Sequence, residues 1–77
     1  MRSSLQIMVE ILKLCKLPQG KTRIMYRTNL SWEMLQRYLA QLESRGLLEV
    51  HHSKIRYTTT EKGSKFVEKW DELTEYL

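Results

Sequence analysis

The sequence predicts a mainly α fold with one small β-hairpin: three helices in a core, a two-stranded hairpin, and a C-terminal helix. Three observations predict it. Between Ser31 and Arg45, Leu35, Tyr38, Leu39 and Leu42 recur at the i, i+3, i+4, i+7 spacing that gathers one apolar helix face. Beyond Gly46 the period changes to two, with Leu48 and Val50 alternating with Glu49 and His51, then Ile55 and Tyr57 flanking Arg56. Past Thr60, Phe66, Trp70, Leu73 and Leu77 follow at spacings of four, three and four, a helical seam of two heptads.

Taken in order, Ser3 or Ser4 caps a first helix expected to run to about Leu17, where Pro18, Gln19 and Gly20 stop it. Leu5, Met8, Val9, Leu12 and Cys15 form one stripe on it, and Ile7, Ile11 and Leu14 form a second beside it. A helix wetted on one side needs only one stripe. The second either faces another subunit or is covered by a compact core, and Ile7, Ile11 and Leu14 are therefore candidates for a dimer interface.

Lys21 to Thr28 form a short second helix that turns Ile24 and Met25 inward. Asn29 tolerates the left-handed backbone that ends a helix, Leu30 plugs the corner, and Ser31 caps the third helix through a backbone N–H. Two helices meeting at such a corner make a helix-turn-helix. Trp32 and Met34, at the margins of the third helix, are expected to complete the core, although a Trp at the start of a reading helix can also pack on a sugar or a thymine methyl. Gly46 ends the helix with a left-handed cap.

The outward face of the third helix carries Glu33, Gln36, Arg37, Ala40, Gln41 and Ser44. Amides, a guanidinium and small groups can read base edges in a major groove, so Gln36, Arg37, Ala40, Gln41 and Glu33 are the base-contact candidates. Lys21, Thr22, Arg23, Arg27 and Ser31 are placed to hold phosphates, and the exposed amides at the start of the second helix add partial positive charge there. The hairpin would display His51, His52, Lys54 and Arg56, and of these His52, Lys54 and Arg56 extend the phosphate set as a wing does.

Charge agrees with this division. The formal charge is +4 over 77 residues. Residues 1–60 hold ten Lys/Arg against four Asp/Glu, a charge of +6, and residues 61–77 hold three against five, a charge of −2. Between Glu10 and Glu33 stand Lys13, Lys16, Lys21, Arg23 and Arg27 with no acid, a local field suited to phosphate or simply a solvated basic surface.

The inventory excludes other classes. One cysteine, Cys15, allows no internal disulfide and has no metal-ligand spacing; its neighbours Leu12 and Leu14 make it read as a small buried hydrophobe, with a redox sensor as the alternative. Adjacent His51 and His52 point to opposite faces of a strand, which argues against a shared metal. There is no glycine-rich phosphate loop and no nucleophile paired with a base, so no enzyme, cofactor or small-molecule substrate is expected. The N-terminal apolar stretch contains Glu10 and Lys13 and reads as neither anchor nor signal peptide, so a cytoplasmic protein is expected. A chain this short buries a small core, which favours self-association. The C-terminal seam, Phe66, Trp70, Leu73 and Leu77, is too short for an isolated coiled coil and is expected to rest on its own domain, on a second copy, or on both. Residues 1–60 are thus read as a nucleic-acid-binding core and residues 61–77 as a dimerisation element.

The runs KTRIMYRTNLSWEMLQRYLAQLESRGLLE and YTTTEKGSKFVEKW resemble the archaeal winged helix-turn-helix regulator family that includes small chromatin-associated DNA-binding proteins. The resemblance covers about residues 5–73. Its most specific parts are Lys21 to Tyr26, Asn29-Leu30-Ser31, Tyr38-Leu39 with Leu42 and Gly46-Leu47, and Tyr57 with Thr60-Glu61-Lys62-Gly63. It implies a homodimer that binds double-stranded DNA as a transcriptional regulator or architectural protein, with the helix after Ser31 in the major groove and the hairpin alongside. It also implies an archaeal or viral source, with the protein on the nucleoid or in the host cytoplasm. The chromatin-associated relatives pair through a long antiparallel coiled coil, whereas the last helix here is expected to span about 17 residues. A compact dimer is therefore expected. The alternative from the residues alone is a winged-helix module that contacts another protein without reading bases.

Overall fold

A computed structural model of the chain describes residues 2–77. Its elements are α1 (Ser4–Leu14), α2 (Lys21–Thr28), α3 (Trp32–Ser44), β1 (Leu48–His51), β2 (Arg56–Thr59) and α4 (Glu61–Thr74). Three of the four helices, α1, α3 and α4, begin at a side-chain cap. Ser3 closes a capping box with Gln6 at the start of α1, Ser31 accepts from the Met34 N–H, and Thr60 accepts from the Gly63 N–H. Asn29 ends α2 at φ 56, and Gly46 follows α3 at φ 72, the two left-handed positions on which the corner and the hairpin entry depend.

α1 stops at Leu14, three residues before the expected Leu17. The reason is tertiary. The Cys15 carbonyl accepts from the Thr59 N–H at 2.8 Å, the Leu12 carbonyl from Thr59 Oγ1 at 2.7 Å, and the Leu14 carbonyl from Gln19 Nε2 at 3.3 Å. The last turn of α1 thus directs its free carbonyls at β2 and the following loop rather than into another helical turn.

β1 and β2 are antiparallel, with Leu48 opposite Thr59 and His51 opposite Arg56. Gln19 pairs with Tyr57 on the other edge of β2, its N–H donating at 3.0 Å and its carbonyl accepting at 2.8 Å. This short bridge fastens the loop between α1 and α2 to the hairpin. Leu48 and Tyr57 point into the core and Val50 is half-buried. Burial, and after it the nearby Glu43 carboxylate, hold the Tyr57 phenol above its ordinary range. Ile55 departs from the expected alternation: it lies in the four-residue turn His52 to Ile55, exposed, at φ 40.

The core sits among the helices and beneath the hairpin, with Ile11, Leu12, Ile24, Leu35 and Leu42 wholly enclosed. α4 lies along α1, seated by Gly63 and Val67 and tied by Lys13 Nζ to Asp71 Oδ1 at 3.0 Å. Burial corrects the interface expected from the sequence: Ile7 and Ile11 belong to the chain's own core, at 6% and 0% exposure, and are not available to a second subunit. Leu14 is half-buried. The α4 seam divides as well. Phe66 and Trp70 rest partly on the domain, whereas Leu73 and Leu77 are uncovered.

Candidate nucleic-acid interface

α2 and α3 form the corner, and the reason lies in four residues. Ile24 is fully buried, Thr28 turns its hydroxyl back onto the Ile24 carbonyl at 2.6 Å, Asn29 reverses the backbone, and Leu30 fills the angle. Arg2 secures the end of α2 from outside. Its guanidinium donates to the Thr28 carbonyl at 2.5 Å and to Glu10 at 2.6 Å. With both helices held by their inner faces, their polar faces are left outward.

On α3, Leu35, Leu39 and Leu42 are buried and Tyr38 is half-buried, its hydroxyl donating to Ser4 Oγ at 3.1 Å. Glu33, Gln36, Arg37, Ala40, Gln41 and Ser44 are all exposed. Arg37 and Gln41 border a shallow recess with Met34 and Tyr38. Trp32 and Met34 are not core residues as expected: Trp32 is 49% exposed, and the Lys21 ammonium stands 5.4 Å from its ring centroid. Trp32 is the first residue of α3, directly after the Ser31 cap, and there the cation and the indole link the start of α2 to the start of α3.

Between the N-terminus of α2 and the hairpin tip is an open cleft of about 760 Å³. Lys21, Thr22, Arg23, Tyr26 and Arg27 line it from α2 and Lys54 and Arg56 from the hairpin, and no carboxylate takes part. None of the five cations is ion-paired among the described residues. The α2 N-cap is Gly20, which has no side chain to cap the helix, so the first-turn N–H groups of α2, at the edge of this cleft, are left without a side-chain partner. Arg56 lies across the helix start: a Cβ at position 20 would stand 2.6 Å from one of its guanidinium nitrogens, a contact that the end of this flexible side chain could relieve by shifting.

The structure brings together the sequence-predicted set of Lys21, Thr22, Arg23, Arg27, Lys54 and Arg56 in this one cleft. Ser31 is exposed beside it in chain order, with its oxygen already accepting the α3 cap bond and its O–H free to donate. His52 lies at the exposed hairpin tip and does not line the cleft. Tyr26, Ile55 and Gly20 were not singled out from the sequence. Tyr26 follows Arg23 by three and Thr22 by four, the spacing that shares a helix face, and that signal could have found it; Ile55 gives no such sign. Cys15 is fully enclosed and burial pushes its thiol up to about 12, the environment of an inert rather than a redox-sensing cysteine. Among the described residues no three His, Cys, Asp or Glu side chains converge as a metal site, and no helix is long and apolar enough to cross a membrane.

Three helices, a hairpin whose inner strand is bridged by the loop after α1, and a helix-turn-helix with its polar face bare define a winged helix-turn-helix domain. The chain belongs to the winged helix-turn-helix family, which matches residues 1–77. It is 36% identical over 77 residues to the uncharacterized protein MJ0287 of Methanocaldococcus jannaschii, covering 99% of this chain and 77% of that protein. In structure it is similar to Sso10a-2, a DNA-binding protein from Sulfolobus solfataricus, with a TM-score of 0.86 and 31% identity over 97% of this chain and 81% of that one. Both relatives are archaeal.

Proposed function

We propose that this protein is a non-enzymatic, double-stranded DNA-binding protein that acts as a transcriptional regulator. The observation that carries this reading is the cleft lined by five cations that make no ion pair among the described residues, on a domain whose α3 leaves its amide-and-arginine face exposed. α3 enters the major groove, where Arg37 reaches guanine O6 and N7, Gln36 and Gln41 reach adenine, Ala40 meets a thymine methyl, and Glu33 accepts from a cytosine amine. The α2 N-terminus and the wing grip one phosphodiester strand through Lys21, Arg23, Arg27, Lys54 and Arg56, with Thr22, Ser31 and His52 donating at its edge. The likeness to a DNA-binding protein of Sulfolobus solfataricus supports the same reading.

The active species in this proposal is a homodimer. Residues 1–60 are the DNA-binding core and residues 61–77 carry the pairing surface. Leu73, 62% exposed, and Leu77, fully exposed, supply its apolar centre, with Phe66 and Trp70 at its margin. Two α3 helices about one duplex turn apart, ~34 Å, would then read a two-half-site operator on the nucleoid.

Fluorescence anisotropy on duplex DNA tests the division of labour. Arg37→Ala should lower discrimination between a preferred and a random duplex by about 1–3 kcal/mol. Arg23→Ala should weaken all duplexes alike and reduce the salt slope by about 0.9. Identical behaviour of the two variants would refute the assignment of bases to α3 and phosphates to α2. No duplex binding at micromolar protein and moderate salt would refute DNA binding altogether and leave a protein partner as the ligand of this surface.

A further inference from the structure

Ile55 is out of place by every local rule. It is a β-branched residue at φ 40, a conformation that glycine or asparagine adopts far more readily, and it is 48% exposed at the tip of the hairpin. Exposed isoleucines are common and need no explanation alone. A β-branched side chain held in the left-handed region without any gain in burial is different, because strain of this kind collects at working surfaces. Its two neighbours are Lys54 and Arg56, and all three border the phosphate cleft.

We propose that Ile55 is an apolar wedge that the wing presses into the DNA minor groove, between the bases of a flexible pyrimidine–purine step. The proposal rests on the DNA-binding reading above and extends it. One phosphodiester strand always separates a major from a minor groove. If α3 occupies the major groove and the cleft between α2 and the hairpin holds the strand beside it, the far side of that strand, where the tip projects, is the minor groove. Lys54 and Arg56 neutralise the phosphates flanking the insertion, and Ile55 stands between them, exposed, on the hairpin side of the cleft. An aliphatic side chain forced between base pairs partly unstacks them and kinks the duplex, most readily at TA steps.

The test uses the full chain and two duplexes of about two turns (~20 base pairs), one of alternating adenine and thymine carrying 2-aminopurine as an unstacking reporter, the other a stiff A-tract. In the alternating duplex TA steps recur at every second position, so the register of binding does not matter. The native protein should brighten the reporter and prefer the alternating duplex by about tenfold. Ile55→Asn, which suits the left-handed backbone, should lose both the brightening and the preference while keeping the salt slope, since no cation is removed. Ile55→Met, apolar and unbranched, should retain the brightening. Equal brightening by the native protein and Ile55→Asn overturns the wedge, as does duplex binding by the native protein with no brightening. Failure of the native protein to bind either duplex overturns the DNA reading itself, a distinct result.

Discussion

Gly63→Ala sets two opposite effects against each other, and the structure decides between them. Alanine in a helix interior is favoured over glycine by about 1 kcal/mol, so propensity alone predicts a more stable protein. A Cβ at position 63, however, would collide with the Leu47 carbonyl oxygen and stand 2.7 Å from Thr59 Cγ2. The carbonyl cannot swing aside cheaply, because it accepts from the Thr60 N–H at 3.1 Å while the Leu47 N–H donates to the Leu42 carbonyl at 2.9 Å. α4 must therefore retreat by about 1 Å, and a gap of that size forfeits a quarter to a half of each dispersion contact it opens. The contacts at risk are those of Val67, 3% exposed, and of half-buried Phe66 and Trp70. Overpacking against backbone sits at the upper end of the usual range, about 3 kcal/mol, leaving a net destabilisation of about 2 kcal/mol after the propensity gain. For a chain of this length that is a sizeable part of a total of roughly 4–12 kcal/mol and lowers Tm by about 8–16 °C. Urea unfolding followed by fluorescence of Trp32 and Trp70 measures it. A Gly63→Ala protein as stable as the native one, or more so, would refute the close seating of α4 on the start of the hairpin.

Other outcomes follow from single features. The five cations of the cleft should give a slope of about −4.5 in log affinity against log salt for each protomer, a loss of about 500-fold between roughly 50 and 200 mM; a slope near −1 would mean that they do not meet phosphates together. Asn29 holds φ 56, so Asn29→Val should cost about 1–2 kcal/mol in thermal unfolding and Asn29→Gly should be close to neutral. Cys15 should resist thiol reagents until the protein unfolds. Its thiol is protonated in both states below its ordinary value of 9.0, but between there and about 12 only the folded state retains the proton. Stability relative to Cys15→Ala should therefore fall by up to ~1.4 kcal/mol per pH unit across that window, and a flat difference would show that the thiol is not buried.

Much of this fold is legible because it rests on local rules. Ser3, Ser31 and Thr60 satisfy backbone donors within three residues, Asn29 and Gly46 supply left-handed backbone, and the leucines of α3 follow a period that only one face can bury. The features that escape are those settled by distant partners. α1 ends early because β2, more than forty residues later, takes its carbonyls. Ile7 and Ile11 look like spare surface in the sequence but lie in the common core, and α4 takes its place along α1 through Gly63, a residue with no side chain to announce a packing face. At the candidate site, Lys21, Arg23 and Arg27 are readable as a basic run on α2. Their meeting with Lys54 and Arg56 depends on the Gln19–Tyr57 bridge, which folds the hairpin back toward α2. A two-residue pairing has no periodicity by which to be seen.

The most direct test of the interface is titration of the isotopically labelled protein with a short duplex, followed residue by residue through amide chemical shifts. The largest changes should fall at Gly20 to Arg23, along Glu33, Gln36, Arg37, Ala40 and Gln41, and at Lys54 to Arg56, while the α1 and α4 amides remain still. Shifts gathered on α1 and α4, with the outer face of α3 unmoved, would contradict the placement of DNA against the helix-turn-helix.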